Sequence, residues 1–476
     1  MAIDERNIEA IVERVIDEIA ADDVSAASDA PRPFDGRGIL EDVECAVGAA
    51  LRSFEEFRER PLDVRERIIA AMRRASLENV ERLSRMAVEE TGLGRVEDKI
   101  RKNTLVATRT PGLEDLTPRA FSGDHGLTLV EPAPYGVIGS ITPSTNPSET
   151  IICNAIGMVA AGNAVVFNPH PGARGVSLAT IDLLNRAAAE AGGPHALLYA
   201  VGEPSVATAE EIMDHPGIAL VVVTGGPGVV RAAMTRGKKV IAAGPGNPPA
   251  VVDATADIEK AARDIIAGAS LDNNIVCIAE KEIIVEREAA GPLRTALSEA
   301  GAVELRGQAI ERVTAVTIAE DLGAGKNSKV TREFVGRDVS VILDAAGVPC
   351  PSAARLAFFE ADRSHPLVWT EQMMPILPLV VVDEAEEAIR LAREVERNCR
   401  HTSVMHSRNI QHLSAMARLM DSSIFVKNGP SYAGLGFGGE GYTSFTIASP
   451  TGEGLTSARS FTRERRCTLV DYFRIV

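Results

Sequence analysis

Apolar residues recur at helical spacing over the first twenty positions of the chain. Charged residues occupy most of the other positions, which predicts an amphipathic helix over residues 1–20. Residues 21–35 are small, polar and interrupted by prolines, as is typical of a linker. Two interpretations of the helix stay open: it packs on its own domain or a sister subunit, or it docks into a groove of a partner protein. The apolar stripe consists of Ile8, Ile11, Val12, Val15, Ile16 and Ile19.

The body of the protein begins near Gly36 with a helical pattern. The spacing of its apolar residues predicts one helix over residues 41–59 and a longer one over residues 64–90, closed by Thr91-Gly92. A strand is predicted over residues 126–131, where it ends at prolines.

From residue 137 onward, short apolar segments alternate with helical ones. This alternation is typical of a parallel sheet with helices on both faces. The first series predicts an α/β domain over residues 36–252, which a hairpin near residues 120–135 interrupts. Its strands are predicted over residues 137–141, 164–167, 197–201, 218–223, 240–242 and 250–252, and its helices over residues 175–191, 205–213 and 228–236.

A second series starts after Asp253 and predicts another α/β domain over residues 253–426. The remaining residues, 427–476, form a return segment with a late strand at residues 467–470. That strand and the early hairpin are suited to cover the sheet edge of a neighbouring subunit. The strands of the second series are predicted over residues 282–285, 340–343, 377–382, 402–405 and 423–426, and its helices over residues 258–267 and 384–397.

Composition narrows the class of protein. A hydrophobic content of 45% and a charged content of 24% are ordinary for a soluble globular protein. A formal net charge of −16 argues against binding to nucleic acid or to an anionic membrane surface. The sequence contains neither an apolar run of about 20 residues nor a signal peptide, so no membrane span is expected.

The six cysteines are scattered and form no Cys-x-x-Cys pair. This arrangement indicates neither a disulfide framework nor a zinc site, and it fits a reducing compartment. The eight histidines include no tight ligand cluster, so we expect no catalytic metal.

One cysteine, Cys277, follows a small, polar turn within Ser270–Glu280 and lies between Val276 and Ile278. A thiol becomes a strong nucleophile as a thiolate, which nearby positive charge or backbone donors promote. Taken by itself, however, a single cysteine flanked by apolar residues is more often a buried structural residue.

Three other stretches carry polar groups suited to a ligand. Asn146 follows the strand at residues 137–141, and its amide is suited either to donate to a developing oxyanion or to cap the helix that Pro147 begins. Gly225-Gly226 opens a helix after an apolar strand, which suits a phosphate site or a tight turn. Glu371 precedes another strand and is either a ribose ligand or a solvated turn residue.

Together and in this order, these stretches resemble the aldehyde dehydrogenase superfamily, and the likeness extends from about Gly36 to the C-terminus. Within it, the chain is similar to the CoA-acylating propionaldehyde and acetaldehyde dehydrogenases of bacterial microcompartments. The stretches that carry the resemblance are Ser270–Glu280, Pro134–Gly139, Phe167–Pro171, Val223–Gly226 and Lys427–Thr451. The resemblance implies two Rossmann-like open parallel-sheet domains, the first binding NAD and the second carrying the cysteine, with a small β oligomerisation element.

The resemblance also implies roles for individual residues. Cys277 corresponds to the nucleophile and Asn146 to the side-chain oxyanion donor, while Glu371 corresponds to the acid that contacts the nicotinamide ribose. The expected dinucleotide-binding residues are Thr142, Pro143, Asn168, Pro169, His170, Thr224, Gly225, Gly226, Val229 and Gly244. NAD is the implied cofactor and coenzyme A the implied co-substrate.

Two departures from the superfamily pattern bear on the reaction. Hydrolytic members carry a general-base glutamate where this chain has Ala243, so an acyl group on Cys277 should persist until a thiol such as CoA arrives. Those members usually carry lysine near the adenosine ribose, where this chain has Asn168; the branch favours NAD over NADP. Two alternatives are a hydrolytic enzyme that activates water through Glu280 or Glu371, and a non-catalytic shell-associated scaffold.

Enzymes of this branch often carry an N-terminal amphipathic helix that routes them into a protein shell. The resemblance therefore shifts the interpretation of residues 1–20 towards docking on a microcompartment shell protein. It also implies a homodimer or homotetramer located in the cytoplasm, inside a bacterial microcompartment, that acts on a small aldehyde.

Overall fold

The computed structural model describes residues 36–476. The predicted targeting helix (1–20) and linker (21–35) lie outside the described residues. The helices of the described part are α1 (Val43–Arg58), α2 (Leu62–Glu78), α3 (Val80–Thr91), α4 (Val96–Arg109), α5 (Pro147–Ala160), α6 (Arg174–Glu190), α7 (Val206–Asp214), α8 (Pro227–Met234), α9 (Ile258–Ala269), α10 (Arg287–Glu299), α11 (Gln308–Thr317), α12 (Val339–Ala345), α13 (Ala385–Val395) and α14 (Ile410–Met420).

The strands alternate with these helices over most of the chain. They are β1 (Ile39–Leu40), β2 (Arg119–Gly123), β3 (Gly126–Pro134), β4 (Val137–Thr142), β5 (Ala164–Pro169), β6 (Leu198–Val201), β7 (Leu220–Thr224), β8 (Val240–Ala243), β9 (Pro249–Val252), β10 (Glu282–Glu286), β11 (Val303–Glu304), β12 (Ile318–Glu320), β13 (Lys329–Val330), β14 (Ala357–Glu360), β15 (Ile376–Val382), β16 (Thr402–His406), β17 (Ile424–Lys427), β18 (Ile447–Ala448), β19 (Gly454–Leu455) and β20 (Thr462–Val470).

The first sheet has six parallel strands in the order β1-β6-β5-β4-β7-β8. Its central strands β4 and β5 are buried at every position, because helices cover both faces of the sheet. Strand β4 lies between β5 on one side and β7 on the other, so the order of strands reverses here. Ligands bind at such a reversal in open α/β sheets, outside the carboxyl ends of the strands.

The second sheet has seven parallel strands in the order β11-β14-β15-β10-β9-β16-β17. Strand β9 (Pro249–Val252) pairs with β10 and β16, which places it in this sheet rather than the first. The chain therefore passes between the sheets over residues 244–248, a few residues before the boundary predicted at residue 252. The predicted α/β class with two open parallel sheets is confirmed.

A third, antiparallel sheet contains the predicted hairpin and the late strand. Strand β3 pairs with β2 on one edge and with β20 along its whole length on the other. Every residue of β2 is exposed, as is almost all of β20. Strands β2 and β20 therefore contribute almost nothing to a buried core in the single chain.

Two of the predicted elements are wrong. The helix predicted over residues 64–90 is two helices, because Asn79 leaves the helical conformation (φ −113°, ψ 9°) between α2 and α3. The strand predicted over residues 340–343 lies within helix α12, where Val339, Ile342 and Leu343 are the buried residues. These three positions have the i, i+3, i+4 spacing of a helix face, which a short apolar run does not distinguish from a strand.

None of the helices in residues 36–476 combines the length and hydropathy that a membrane span requires.

Candidate active site

The carboxyl ends of four neighbouring strands of the first sheet form one edge of the candidate site. Thr142 is opposite Pro169 on β5, and Thr224 is opposite Ala243 on β8. Strand β4 joins the two pairs, since it lies between β5 and β7. The hydroxyl of Thr142 is buried and has no hydrogen-bond partner among the described residues, so it is available to a ligand at this edge.

Asn168, near the end of β5, has both polar ends of its side chain engaged within the protein. Its Nδ2 donates to the carbonyl of Ser205 (3.2 Å), and its Oδ1 accepts from the hydroxyl of Thr208 (2.7 Å). Both partners belong to the first turn of α7, so Asn168 holds that turn in place. His170 is exposed just beyond the strand, where its Nδ1 accepts from the backbone of Gly172 (3.0 Å).

The glycine turn at Gly225-Gly226 joins β7 to α8, as predicted. The backbone N–H of Gly225 donates to the carbonyl of Ala243 (3.2 Å), and a Cβ at Gly225 would lie 2.8 Å from Val229. At Gly226 an added Cβ would meet nothing within 4 Å, so the helix N-terminus faces open space. This geometry fits a phosphate, which unpaired backbone N–H groups bind; binding itself stays a prediction.

The candidate nucleophile follows a strained turn. Helix α9 ends at Ala269, and three consecutive residues then adopt the left-handed conformation: Asp272 (φ 48°), Asn273 (φ 54°) and Asn274 (φ 70°). Asparagine and aspartate tolerate this conformation better than other residues with a Cβ, because their side chains bond to nearby backbone. The polar run seen in the sequence before Cys277 is therefore what allows the turn.

Buried hydrogen bonds hold this turn. The Nδ2 of Asn273 donates to the carbonyl of Gly336 and to Asp338 Oδ1, both at 2.9 Å. The side chain of Asn274 bridges the turn, because its Nδ2 donates to the carbonyls of Ala269 (2.8 Å) and Glu280 (2.9 Å). Its Oδ1 accepts from the buried ammonium of Lys281 at 2.5 Å.

Cys277 itself is partly buried and is a free thiol. Burial, together with the negative charge of Glu371, raises the pKa of its thiol to about 12, although the positive charges of Lys281 and Lys102 act in the opposite direction. The thiol is therefore protonated at neutral pH. A reaction at this sulfur needs a group that removes the proton or a change that adds positive charge nearby.

Glu371 and the crossover between the two sheets meet beside Cys277. The Oε1 of Glu371 accepts from the backbone N–H of Gly246 (3.1 Å), and burial raises the pKa of this carboxyl. A Cβ at Gly246 would lie 2.9 Å from the carbonyl oxygen of Cys277 and 3.0 Å from the ring of His401. Gly246 is thus packed between the cysteine backbone and a histidine, while Gly244 lies against Pro450.

His401 is a candidate residue that the sequence analysis missed. Its Nδ1 pairs with the hydroxyl of Thr402 (2.9 Å), while its Nε2 is buried without a partner in the described part of the chain. Burial and the charge of Lys281 lower its pKa to about 4, so the ring is neutral and keeps one unused nitrogen. Eight histidines are present, and no local motif distinguishes this one from His406, which is buried in the following strand.

Asn146 stands at the N-cap position of α5 but does not cap it, since its side chain makes no capping bond within residues 36–476. Instead its Oδ1 accepts from the ammonium of Lys102 (2.5 Å), and its Nδ2 donates to the hydroxyl of Thr145 (3.2 Å). An amide nitrogen carries two hydrogens, so one donor is left. Of the two roles that the sequence left open for Asn146, the structure removes capping.

Behind Asn146 lies a buried cluster of charges, also missed from the sequence. Lys102 contacts Asp272 (2.5 Å) and Glu149 (3.0 Å), and Lys99 contacts Asp272 (3.1 Å). All four side chains are almost fully buried, and the two carboxylates match the two ammonium groups. Burial lowers the pKa of Lys102, but Asp272 and Glu149 outweigh that effect and bring it to about 12, so it stays charged. Lys99 and Lys102 are three residues apart on α4, and this spacing is the feature of the sequence that predicts that both lie on one face of the helix.

Glu280 does not face the cysteine as a free base. Its Oε1 accepts from the backbone N–H of Ser431 and its Oε2 from the Ser431 hydroxyl, both at 2.8 Å. Burial raises its pKa to about 7. The carboxyl therefore anchors the short helical turn Ser431–Leu435, which leads into a glycine-rich loop at residues 434–441. In the sequence no acidic residue lies between Asp214 and Asp253, so the strand end at Ala243 carries no carboxylate.

In residues 36–476 no group of three or more histidine, cysteine, aspartate or glutamate side chains is arranged to hold a metal ion. The chemistry available among the described residues is that of a partly buried thiol, an amide donor, a neutral imidazole and a strand edge suited to a dinucleotide.

The chain was compared with protein families and with known proteins. Residues 37–457 match the aldehyde dehydrogenase family. The acetylating acetaldehyde dehydrogenase EutE of Salmonella typhimurium is 50% identical over 440 residues, which are 92% of this chain and 94% of that protein.

Two solved structures have nearly the same fold. One is a propionaldehyde dehydrogenase from the fucose utilisation microcompartment of Clostridium phytofermentans (46% identity, TM-score 0.89, 92% of this chain and all of that one). The other is the propionaldehyde dehydrogenase of Rhodopseudomonas palustris with bound propionyl-CoA (48% identity, TM-score 0.88, 91% of this chain and 96% of that one). The chain belongs to the aldehyde dehydrogenase family.

Proposed function

We propose that this enzyme oxidises a short aldehyde and transfers the acyl group to coenzyme A, through a thioester on Cys277 and with reduction of NAD. The observation that carries the proposal is the strand end at Ala243. This strand end has no acid to activate water, whereas the thiol and the amide donor are both present. The names of the similar proteins, which include acetylating and propionyl-CoA-bound enzymes, support the choice of CoA.

The residues at the edge of the first sheet fit a dinucleotide. The unpaired hydroxyl of Thr142 and the open backbone at Gly226 are a donor and a cradle at adjacent strand ends. We assign the dinucleotide to this edge, with Glu371 holding the nicotinamide ribose and Asn168 near the adenosine ribose. When bound, the nicotinamide supplies the hydride acceptor.

The first half-reaction forms the thioester. The Cys277 thiolate attacks the aldehyde carbonyl, and the remaining Nδ2 hydrogen of Asn146 donates to the alkoxide that develops. We assign the thiol proton to His401, because its Nε2 is buried without a partner among the described residues and its ring lies beside Gly246, which also approaches the Cys277 carbonyl oxygen. The charges of Lys281 and Lys102 favour the thiolate.

The second half-reaction transfers the acyl group. His401 first passes the proton from the first half-reaction to solvent. The thiol of coenzyme A then attacks the Cys277 thioester, His401 accepts the proton of that incoming thiol, and Cys277 leaves as the thiolate. Asn146 again donates to the oxyanion of the tetrahedral intermediate. Water competes poorly, because Glu280 is engaged with Ser431 and no carboxylate stands at the end of β8.

The test follows NADH absorbance with propanal and NAD, in the presence and absence of CoA. We expect steady turnover with CoA and, without it, a single burst that matches the number of active sites. Equal steady rates under both conditions would contradict the acylating assignment. Cys277→Ala should be inactive, whereas Cys467→Ala, at an exposed position of β20, should keep full activity. Repeating the assay with NADP and with acetaldehyde decides the preferred cofactor and aldehyde.

A hydrolytic dehydrogenase is the second candidate, because Glu371 is a partly buried acid whose charge acts on Cys277. Its Oε1 is engaged with Gly246, which favours a holding role over water activation. Mass spectrometry of the product distinguishes the two: acyl-CoA supports our proposal and free acid the alternative.

We further propose that residues 1–20 dock on a microcompartment shell protein and that the enzyme is a homodimer or homotetramer. The similarity to an enzyme from a fucose utilisation microcompartment supports the location. A variant lacking residues 1–20 should keep its specific activity and lose co-purification with shells. Unchanged recruitment of that variant would mean that the segment has a structural role.

A further inference from the structure

Lys102 is placed where three parts of the enzyme meet. Its ammonium lies 2.5 Å from Asn146 Oδ1, 2.5 Å from Asp272 Oδ2 and 3.0 Å from Glu149 Oε1. Asn146 follows strand β4 of the first sheet, and Asp272 lies in the turn that leads to Cys277. One ammonium group thus joins the candidate oxyanion donor to the nucleophile's turn.

The contact with Lys102 decides which end of the Asn146 amide faces inward. An ammonium group only donates hydrogen bonds, so the group that it contacts must be the amide oxygen. The Nδ2 end is then turned away from Lys102, where one hydrogen serves Thr145 and the other remains for a ligand. Both lysine and amide are buried, so solvent does not compete for these positions.

Removal of this ammonium would reverse the preferred orientation of the Asn146 side-chain amide. Asp272 and Glu149 would remain as buried acceptors near Asn146, and carboxylates attract an N–H donor. The amide would then gain by turning its Nδ2 towards them, which would present Oδ1 to the alkoxide. An oxygen in that position repels the developing negative charge instead of stabilising it.

We propose that Lys102 is a positioning residue that keeps the Asn146 amide turned so that Nδ2 donates to the oxyanion at Cys277, a role that rests on the proposed function of Asn146. Because the same ammonium binds Asp272, it also fixes the amide relative to the cysteine turn. Lys102 acts through Asn146 and does not touch the substrate.

Lys99 supplies a matched control. It is equally buried on the same helix and pairs with the same oxygen of Asp272, but its other partner is the carbonyl of Thr145 and not the Asn146 amide. Lys99→Met and Lys102→Met each remove one positive charge from the cluster. Should either single variant fail to fold, each is combined with Glu149→Gln, which restores the balance of charge.

The test is a double-mutant cycle on kcat for propanal with NAD and CoA. We expect Asn146→Ala to lower kcat about 100-fold, as loss of an oxyanion donor does. Lys102→Met should lower kcat at least about 10-fold with little change in KM for propanal, and Lys99→Met should be much milder. In the Asn146→Ala background, Lys102→Met should cost less than about 3-fold, because the amide that it orients is gone.

The outcomes distinguish the proposed role of Asn146 as oxyanion donor from the proposed role of Lys102 as its positioning residue. If Asn146→Ala leaves kcat unchanged, the proposed role of Asn146 fails. If Asn146→Ala lowers kcat but Lys102→Met does no more than Lys99→Met, the positioning role alone fails. If the Lys102→Met effect is the same with and without Asn146, Lys102 acts on the charge of Cys277, and the proposal is overturned.

Discussion

At the scale of single residues, the reactivity of Cys277 depends on opposing charges. Burial and Glu371 disfavour its thiolate, while Lys281 and Lys102 favour it. A cysteine that is held as a thiol until the site is assembled is protected from other electrophiles and from oxidation, since the thiolate is the reactive form. The same balance can be measured directly, because it sets the rate at which the sulfur is alkylated.

Glu371→Gln should make Cys277 more reactive towards iodoacetamide when no dinucleotide is present. The substitution removes a negative charge that raises the thiol pKa, so the pKa falls and a larger fraction is thiolate at a given pH. The alkylation profile should shift to lower pH, and the rate at pH 8 should rise several-fold. Peptide mass spectrometry of residue 277 measures the rate. An unchanged profile would show that burial alone sets this pKa.

His401→Ala should impair both half-reactions, because each needs an acceptor for a thiol proton. A loss of about 100-fold in kcat is expected for removal of a positioned base, with a smaller change in KM for propanal. Stopped-flow measurement of the NADH burst follows the first half-reaction, and steady turnover with CoA follows the whole cycle. His406→Ala is the matched comparison, because it removes a second buried histidine, at the end of β16, whereas the atoms nearest to Gly246 belong to Cys277 and His401. Equal losses in both variants would indicate a packing role.

At the scale of elements, the left-handed turn before Cys277 shows how hydrogen bonds stabilise a strained backbone conformation. Three consecutive residues adopt a conformation that costs about 1–2 kcal/mol per residue for an ordinary side chain. Buried bonds from Asn273, Asn274 and Lys281 hold the turn in this shape. Two substitutions at one position can separate the effect of backbone strain on stability from the effect of the hydrogen bonds.

Asn273→Gly and Asn273→Ala should both destabilise the protein, but to different extents. Each loses two hydrogen bonds, one buried and one partly buried, which contribute about 1–3 kcal/mol in total. Alanine also has to adopt φ 54°, so we expect it to be less stable than glycine by about 1 kcal/mol. Thermal unfolding of the two variants in parallel measures the difference. Equal unfolding temperatures would mean that the turn relaxes in the alanine variant.

Gly246→Ala should reduce activity more than it reduces stability. The new Cβ would lie 2.9 Å from the Cys277 carbonyl oxygen and 3.0 Å from the His401 ring, so both must move apart. A loss of about 10-fold or more in kcat is expected, since small displacements of reacting groups are costly. Gly291→Ala is the control: it lies in helix α10 with nothing within 4 Å of the added atom and should keep full activity.

At the scale of the whole molecule, the small antiparallel sheet is a surface without a cover in a single chain. Phe121 on β2 and Leu469 and Val470 on β20 are exposed large hydrophobic residues. The residues that follow, Tyr472, Phe473, Ile475 and Val476, are more exposed still. Exposed large hydrophobic residues gathered on one small sheet and the chain that follows it are typical of an interaction surface, which supports the oligomer that we propose.

A chain that ends at Phe461 should dissociate into smaller units. The truncation removes β20, leaves an edge of β3 unpaired and takes away the exposed large hydrophobic residues that follow Phe461. Light scattering coupled to size-exclusion chromatography measures the mass. Leu469→Glu with Val470→Glu keeps the strand and removes only its apolar character, so it should weaken association as well. A monomeric full-length chain would refute the oligomer.

The sequence predicted most of the fold, because alternating apolar strands and helices leave few other arrangements. It did not distinguish the buried face of a short helix from a strand at Val339–Leu343, where spacing over five residues is ambiguous. In the site it pointed to Cys277 and Asn146 through the resemblance to the aldehyde dehydrogenase superfamily, since each residue taken by itself left a structural role open. It missed Lys102 and His401, because each acts with partners distant in the sequence, and only the fold brings these together.

The strand end at Ala243 has a consequence for the direction of the reaction. An enzyme that hydrolyses its acyl intermediate releases the free energy of the thioester as heat, and its reaction is in practice irreversible. Exchange of one thioester for another leaves that free energy almost unchanged. With no carboxylate between Asp214 and Asp253, this enzyme should therefore run both ways, reducing an acyl-CoA to the aldehyde when NADH is abundant and the aldehyde is withdrawn. Because no carboxylate activates water at Ala243, the free energy of aldehyde oxidation is conserved in the acyl-CoA thioester, which later reactions can use.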